Sequence, residues 1–487
     1  MHPKALLSAS ADLVREILRF EHPADSVLSK YFKDHRKDHS FGHRERGVLA
    51  DTAYNVLRFK LLYEHFAPWG SGSKERRLAI LGFAQHLKDA AQHAGDHTTK
   101  DALTKEQTTA LHKGASGRGG SGRGGSKGAP PSKSSSSASR HPDEFDHSTL
   151  GFLRSALTPD ESQWLDQCEA VKTEDLLERH RHNLPEWLAQ SLREQLGDTF
   201  WQVVEKLNTT APLDLRVNTY IAKRDDVLKS LKTLGIKGEP TPFSPWGIRL
   251  KDKPSLAKLE PFTNGSIEVQ DEGSQLLALL LDAKRSEMVA DFCAGAGGKT
   301  LAIGASMRNT GRLYAFDTSA HRLDALKPRL ARSGLSNVHP VAIAHERDER
   351  IKRLRGKMDR VLVDAPCSGL GTLRRNPDLK WRQNPKSIEE LCTIQSNILR
   401  SAARLLKPGG RLVYATCSLL AQENEAIAEA FTEEFKDFFV PLKASKVLEE
   451  LKIAHFESLC TPSGEYLRMW PHVHETDGFF ASIWQAK

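Results

Sequence analysis

The chain has 487 residues, 39% of them hydrophobic, which is enough for two or three domains with filled cores. Lys and Arg total 70 against 62 Asp and Glu, a net charge of +8 that suits a polyanionic partner without demanding one. The six cysteines are scattered with no CxxC pair, so zinc ribbons and dithiol redox centres are excluded and a reduced, cytoplasmic protein is expected.

The first segment, "MHPKALLSASADLVREILRF", carries charges in every turn and no apolar signal core, and the apolar run "LLALLL" at 276–281 is too short to span a bilayer. No export and no membrane partner are expected. Apolar residues at three- and four-residue spacing over 4–67 predict a small helical domain. Residues 114–140, "GASGRGGSGRGGSKGAPPSKSSSSASR", are too poor in apolar groups to offset their ordering entropy, which predicts a disordered basic tether within about 90–145. Periodicity returns in 184–208 as amphipathic helices, and 213–236 reads as a strand followed by a helix.

From about 287, short apolar runs alternate with helical stretches: "MVADFCAG", "RLYAFD", "VHPVAIA", "DRVLVDAP", "GRLVYATCS" and "GFFASIW". This pattern predicts an α/β domain with a mostly parallel sheet, whose ligands bind at the carboxyl ends of the strands.

Three ligand classes compete for the turn "CAGAGGKT" at 293–300. A P-loop requires a glycine where Cys293 stands, and a dinucleotide fingerprint counted from Gly295 and Gly297 meets Thr300 at its third glycine. The third reading is S-adenosyl-L-methionine, with the glycine turn at its methionine and ribose and with Asp317, at the end of the second strand, accepting from both ribose hydroxyls.

Two cysteines follow apolar runs at the same predicted sheet edge: Cys367 in "DAPCSGLGT" and Cys417 in "YATCSLL". Cytosine C5 is a poor nucleophile until a thiolate adds at C6, so two thiols facing one pocket suit covalent methylation of that carbon, one attacking and one assisting release. Cys168, Cys392 and Cys460 are read as packing residues. "LRRNPDLKWR" at 373–382 offers four basic side chains and Trp381 as a candidate contact for phosphate or a stacked base.

"DFCAGAGGKT", "DAPCSGLGT" and "YATCS" together resemble the ordered motifs of RNA cytosine-C5 methyltransferases of the RsmB/NSUN type. "HNLPEWL", "LRVN", "EVQDEGSQL", "RRNPDLKW" and "WPHVHETDGFF" extend the resemblance to bacterial RsmB (Sun/Fmu) members over roughly 180–487, and "HRERGVLADTAYNVLRF" resembles their NusB-type helical domain.

The resemblance implies a NusB-like RNA-binding domain at 1–175, a mixed α+β RNA-binding subdomain at 176–285 and a Rossmann-like class I methyltransferase domain at 286–487. It implies Cys417 as nucleophile and Cys367 as the group assisting release, with Asp364 near cofactor and cytosine and Lys299 reaching into the site. Cys293, Ala294, Gly295, Ala296, Gly297, Gly298 and Lys299 would wrap S-adenosyl-L-methionine, Asp317 and Asp364 would also contact it, and no metal is implied.

The expected substrate is RNA, small-subunit 16S rRNA in the first instance and tRNA as the alternative, acted on by a monomer. After the third strand, where the family places an acid against the adenine, this chain has His345, with Glu346 and Asp348 nearby. An NAD-linked oxidoreductase and a non-catalytic RNA-binding or ribosome assembly factor are the competing classes.

Overall fold

The computed structural model describes residues 1–36, 41–91 and 150–487. The tether expected at about 90–145 lies outside the described residues from position 92 onward. The chain divides into two compact units, Met1–Asn183 and Leu184–Lys487.

The first unit is helical. Its helices include Pro3–Ile17, His43–Arg58, 74–91 and Pro159–Ala170. In Pro3–Ile17 the buried residues Leu6, Leu13 and Ile17 recur at helical spacing and make one apolar stripe. Pro159–Ala170 begins where Thr158 and Glu161 form a capping box with Pro159 in the first turn. Arg76, on helix 74–91, reaches Glu161 through Nε at 2.6 Å and Nη2 at 3.0 Å, tying that capped end to its neighbour.

The second unit starts with helices Glu186–Leu196 and Phe200–Leu207. Four short strands follow: β1 (Leu213–Val217), β2 (Gly238–Pro240), β3 (Gly247–Leu250) and β4 (Ile267–Val269), which form an antiparallel sheet ordered β2-β3-β1-β4.

Eight further strands make the main sheet: β5 (Met288–Asp291), β6 (Arg312–Asp317), β7 (Val338–Ala342), β8 (Met358–Asp364), β9 (Leu406–Thr416), β10 (Phe439–Leu442), β11 (Leu467–Met469) and β12 (Phe479–Ala486). Their order is β10-β12-β9-β8-β5-β6-β7, with β11 beside β12. β5 to β9 pair in parallel, whereas β12 runs antiparallel to β9, β10 and β11.

All six apolar runs are therefore strands, and "GFFASIW" is the one that reverses direction. The central strands are near-continuous apolar sequence because both faces are covered. Leu362 and Val413 belong to the core on one face, while Val361, Val363, Leu412 and Tyr414 belong to the core on the other.

The chain leaves β5 toward β6 and β7 on one side, while β8 and β9 lie on the other. A crevice is expected where the connections diverge, at the carboxyl ends of β5 and β8. No described helix is long and apolar enough to cross a membrane.

Candidate active site

β5 ends at Asp291, and the glycine turn leads into helix Gly298–Ser306. Gly297 caps that helix with φ of +84°, and a Cβ there would stand 2.1 Å from Leu326 Cδ1, so both conformation and space require glycine. Gly295, at φ +55°, faces open space: nothing lies within 4 Å of its Cβ position. Asp317, at the end of β6, accepts from Gly295 N at 2.8 Å through Oδ2 and from Ser319 N at 2.7 Å through Oδ1.

Asp291 supports the turn from below. Its Oδ2 accepts from Thr300 Oγ1 at 2.6 Å, while its buried Oδ1 has no hydrogen-bond partner among the described residues. Burial pushes this carboxyl up to about 7, against the Thr300 hydrogen bond. Thr300, which stood in place of a dinucleotide-binding glycine, is thus occupied in holding the strand to the helix.

Parallel pairing of β8 with β9 ends at Asp364 opposite Ala415. Two loops leave the sheet side by side from that point. Cys367 lies three residues past β8 and Cys417 immediately past β9, and their sulfurs are 3.4 Å apart. Both residues are of intermediate exposure. Burial and the neighbouring Cys417 and Glu423 push the Cys367 thiol well above its ordinary range, the contact with Cys417 contributing most.

Lys299 Nζ donates to Asp364 Oδ2 at 2.7 Å, which places the first helical turn against the end of β8. Burial opposes the charge on Lys299, but Asp364 and, further out, Cys417 and Asp291 raise its pKa above the ordinary lysine value. Cys293 lies beside the same carboxylates; burial first, then Asp291, Asp364 and Asp317, hold its thiol neutral. Cys417, Cys367, Asp364 and Lys299 therefore form one cluster, with residues 293–299 and Asp317 continuing it along the sheet edge.

Residues 278–485 match the family model described as 16S rRNA methyltransferase RsmB/F, and residues 184–257 match the ferredoxin-like domain of the RsmF/B-like methyltransferases. The chain is 32% identical over 321 residues to the ribosomal RNA small subunit methyltransferase B of Klebsiella pneumoniae, covering 65% of this chain and 69% of that protein. It belongs to the RsmB/F family.

The probable ribosomal RNA small subunit methyltransferase B of Bacillus subtilis is 36% identical over 298 residues, 61% of this chain and 65% of that protein, so the match spans just under two thirds of this relative. The crystal structure of PH0851 superposes with a TM-score of 0.69 at 25% identity over 99% of both chains. The α/β fold with its mostly parallel sheet is that of the family.

In this RsmB/F chain the segment after β7 is partly committed to its own structure. Asp348 caps helix Glu349–Lys352, accepting from Ala344 N and Arg350 N at 2.9 Å each, and His345 Nδ1 accepts from Arg347 N at 3.1 Å.

The 373–382 stretch departs from its sequence reading. Arg374 and Lys380 are buried. Arg374 donates to Thr210 O at 2.9 Å, and Arg375 binds Asp477 at 2.7 Å, Asp271 at 2.8 Å and Pro212 O at 3.0 Å. Arg375 turns inward because the two buried carboxylates need a shared cation.

Sequence reasoning missed Glu423, a fully buried acid bonded to the serine beside each cysteine of this site. Within "LLAQENEA" nothing in the local pattern marks an acid for burial, and its closeness in sequence to Cys417 is the one available signal.

Proposed function

We propose that this RsmB/F chain transfers a methyl group from S-adenosyl-L-methionine to C5 of a cytosine in 16S rRNA by covalent thiolate catalysis. The observation that carries the reading is the 3.4 Å approach of Cys367 and Cys417 at the sheet edge next to the glycine turn.

The residues present fit the cofactor. Gly295 leaves open space at the turn, and each oxygen of Asp317 has one backbone donor and a further lone pair for a ribose hydroxyl. Residues 293–299, Asp317 and Asp364 would hold S-adenosyl-L-methionine, which supplies the electrophilic methyl group that C5 accepts.

The chain's own side chains do the rest. Cys417 Sγ adds to C6 of the cytosine, forming a C–S bond and making C5 nucleophilic. Lys299 Nζ, held by Asp364 Oδ2 at 2.7 Å, stands at the same sheet edge as the attacking sulfur. Asp364 hydrogen-bonds the base during attack.

Once C5 carries its methyl group, loss of the C5 proton and of Cys417 Sγ restores the aromatic ring. Cys367, kept protonated by its surroundings, gives its proton to the departing Cys417 sulfur and takes the C5 proton in exchange, so that both cysteines end as thiols.

The base must leave its stack to reach this edge, at a cost of a few kcal/mol that an unpaired loop lowers. The helical unit, as a NusB-like domain, and the four-stranded sheet grip the RNA, and the enzyme acts as a monomer.

The test incubates the full chain with methyl-labelled S-adenosyl-L-methionine and either 16S rRNA or tRNA, then maps 5-methylcytosine by bisulfite sequencing. Label at one cytosine of 16S rRNA is expected. Label only in tRNA overturns the substrate, and binding of NADH in place of S-adenosyl-L-methionine overturns the reaction class.

A further inference from the structure

The backbone ladder that sets the spacing of β8 and β9 ends with Ala365 N donating to Ala415 O at 2.9 Å. Beyond that point the two cysteine loops continue past the paired strands, yet their sulfurs are in contact. One backbone bond crosses between them, Gly371 N donating to Cys417 O at 2.8 Å, and the side chain that joins the loops is Glu423, on the turn Ala421–Glu423 and wholly buried.

Its Oε1 accepts from Ser368 N at 2.8 Å and from Gln395 Nε2 at 3.0 Å. Its Oε2 accepts from Ser368 Oγ at 2.5 Å and from Ser418 Oγ. Ser368 directly follows Cys367 and Ser418 directly follows Cys417, and the two hydroxyl oxygens are 3.1 Å apart.

Gln395 also donates to Pro366 O at 3.0 Å, so residues on both sides of Cys367 are fastened to one carboxylate. Asn424, the next residue, donates to Ser418 O at 3.0 Å and fixes the other loop from behind. A carboxylate buried this completely requires its donors, so the loops cannot drift apart without stripping it.

We infer that Glu423 is a positioning residue for the thiol pair: it clamps the Cys367 and Cys417 loops through their serines and thereby sets the sulfur-to-sulfur distance. The role rests on the thiolate reading above. It touches neither substrate nor cofactor, and its effect falls most heavily on release, the step that needs both sulfurs at once.

The test compares the full-length wild type with Glu423→Ala, Glu423→Gln, Ser368→Ala and Ser418→Ala. The first readout is independent of catalysis: the rate at which diamide, taking two protons and two electrons from the thiols, closes a Cys367–Cys417 disulfide in the folded protein. Glu423→Ala is expected to slow closure at least tenfold, Glu423→Gln less because it keeps the shape and one acceptor oxygen, and each serine variant by an intermediate amount.

The second readout is turnover. In Glu423→Ala, kcat is expected to fall at least thirtyfold and the fraction of RNA held as covalent adduct to rise, with the Kd for S-adenosyl-L-methionine within twofold of wild type. If Glu423→Ala does not fold, the two serine variants decide, since each leaves Glu423 its remaining donors.

Unchanged disulfide closure, or losses of kcat and cofactor affinity in parallel with no change in adduct fraction, overturns the positioning role. A wild type that forms neither adduct nor 5-methylcytosine but closes the disulfide in a Glu423-dependent way overturns the thiolate reading and leaves the clamp standing.

Discussion

Replacing Gly297 by alanine separates two physical demands on the glycine turn. At φ +84° an L residue is in the left-handed region, which costs about 1–2 kcal/mol. The added Cβ also meets Leu326 Cδ1 at 2.1 Å and Cγ at 3.0 Å. Leu326 is fully buried in the core beneath the turn, so it cannot retreat without disturbing its neighbours, and overpacking of this kind costs about 1–3 kcal/mol. Gly297→Ala should therefore lose about 2–5 kcal/mol.

Gly295→Ala is the internal control. Its φ is +55° but no atom lies within 4 Å, so only the conformational part, about 1–2 kcal/mol, applies. Equilibrium urea unfolding measures both. Isothermal titration with S-adenosyl-L-methionine should show Gly295→Ala binding at least tenfold more weakly, because its methyl group intrudes on the space assigned to the cofactor. Equal destabilisation by the two substitutions would refute the argument from Leu326, and unimpaired binding by Gly295→Ala would refute the placement of the cofactor.

Asp291 provides a pH dependence. Burial raises its carboxyl from 3.8 to about 7, so the fold favours the protonated form. The resulting stabilisation is complete below about pH 4 and is lost as pH rises through about 7, a change of roughly 4 kcal/mol at the limit. Asp477, also raised to about 7 by burial with Asp271 adding to it, slopes the same way. Asp291→Asn should thus flatten part of the decline in unfolding free energy measured from pH 5 to 8, and an unaltered slope would contradict the assignment. Arg375→Ala strands the carboxylates of Asp271 and Asp477, so it should destabilise the second unit by about 3–5 kcal/mol in urea. A loss below 1 kcal/mol would mean that the arginine is not their shared counterion.

Much of the site was legible because strands buried on both faces leave an unmistakable apolar signature. What ends each strand is then placed at a known edge. "DRVLVDAPC" and "GRLVYATC" put two thiols at the same edge before any coordinates, and parallel pairing of Asp364 with Ala415 brings them together.

The four-stranded sheet was hardly visible beyond β1, since β2 and β4 have three residues each and carry little periodicity. The buried polar side chains were invisible for a different reason. Glu423 and Arg374 are buried, and Arg375 partly so, through partners distant in sequence, and composition assigns such charged residues to the surface. Arg374 and Arg375 of "LRRNPDLKWR" consequently read as candidate phosphate contacts, whereas they bind backbone oxygens and carboxylates of the protein itself.

The decisive measurement is denaturing electrophoresis of the full-length Cys367→Ala and Cys417→Ala variants after incubation with S-adenosyl-L-methionine and 16S rRNA. The account predicts a slow-migrating protein–RNA band that survives denaturant in Cys367→Ala, where attack proceeds and release fails, and none in Cys417→Ala. A band in Cys417→Ala alone reverses the two roles, and methylation at wild-type rate by Cys417→Ala contradicts covalent catalysis by this pair.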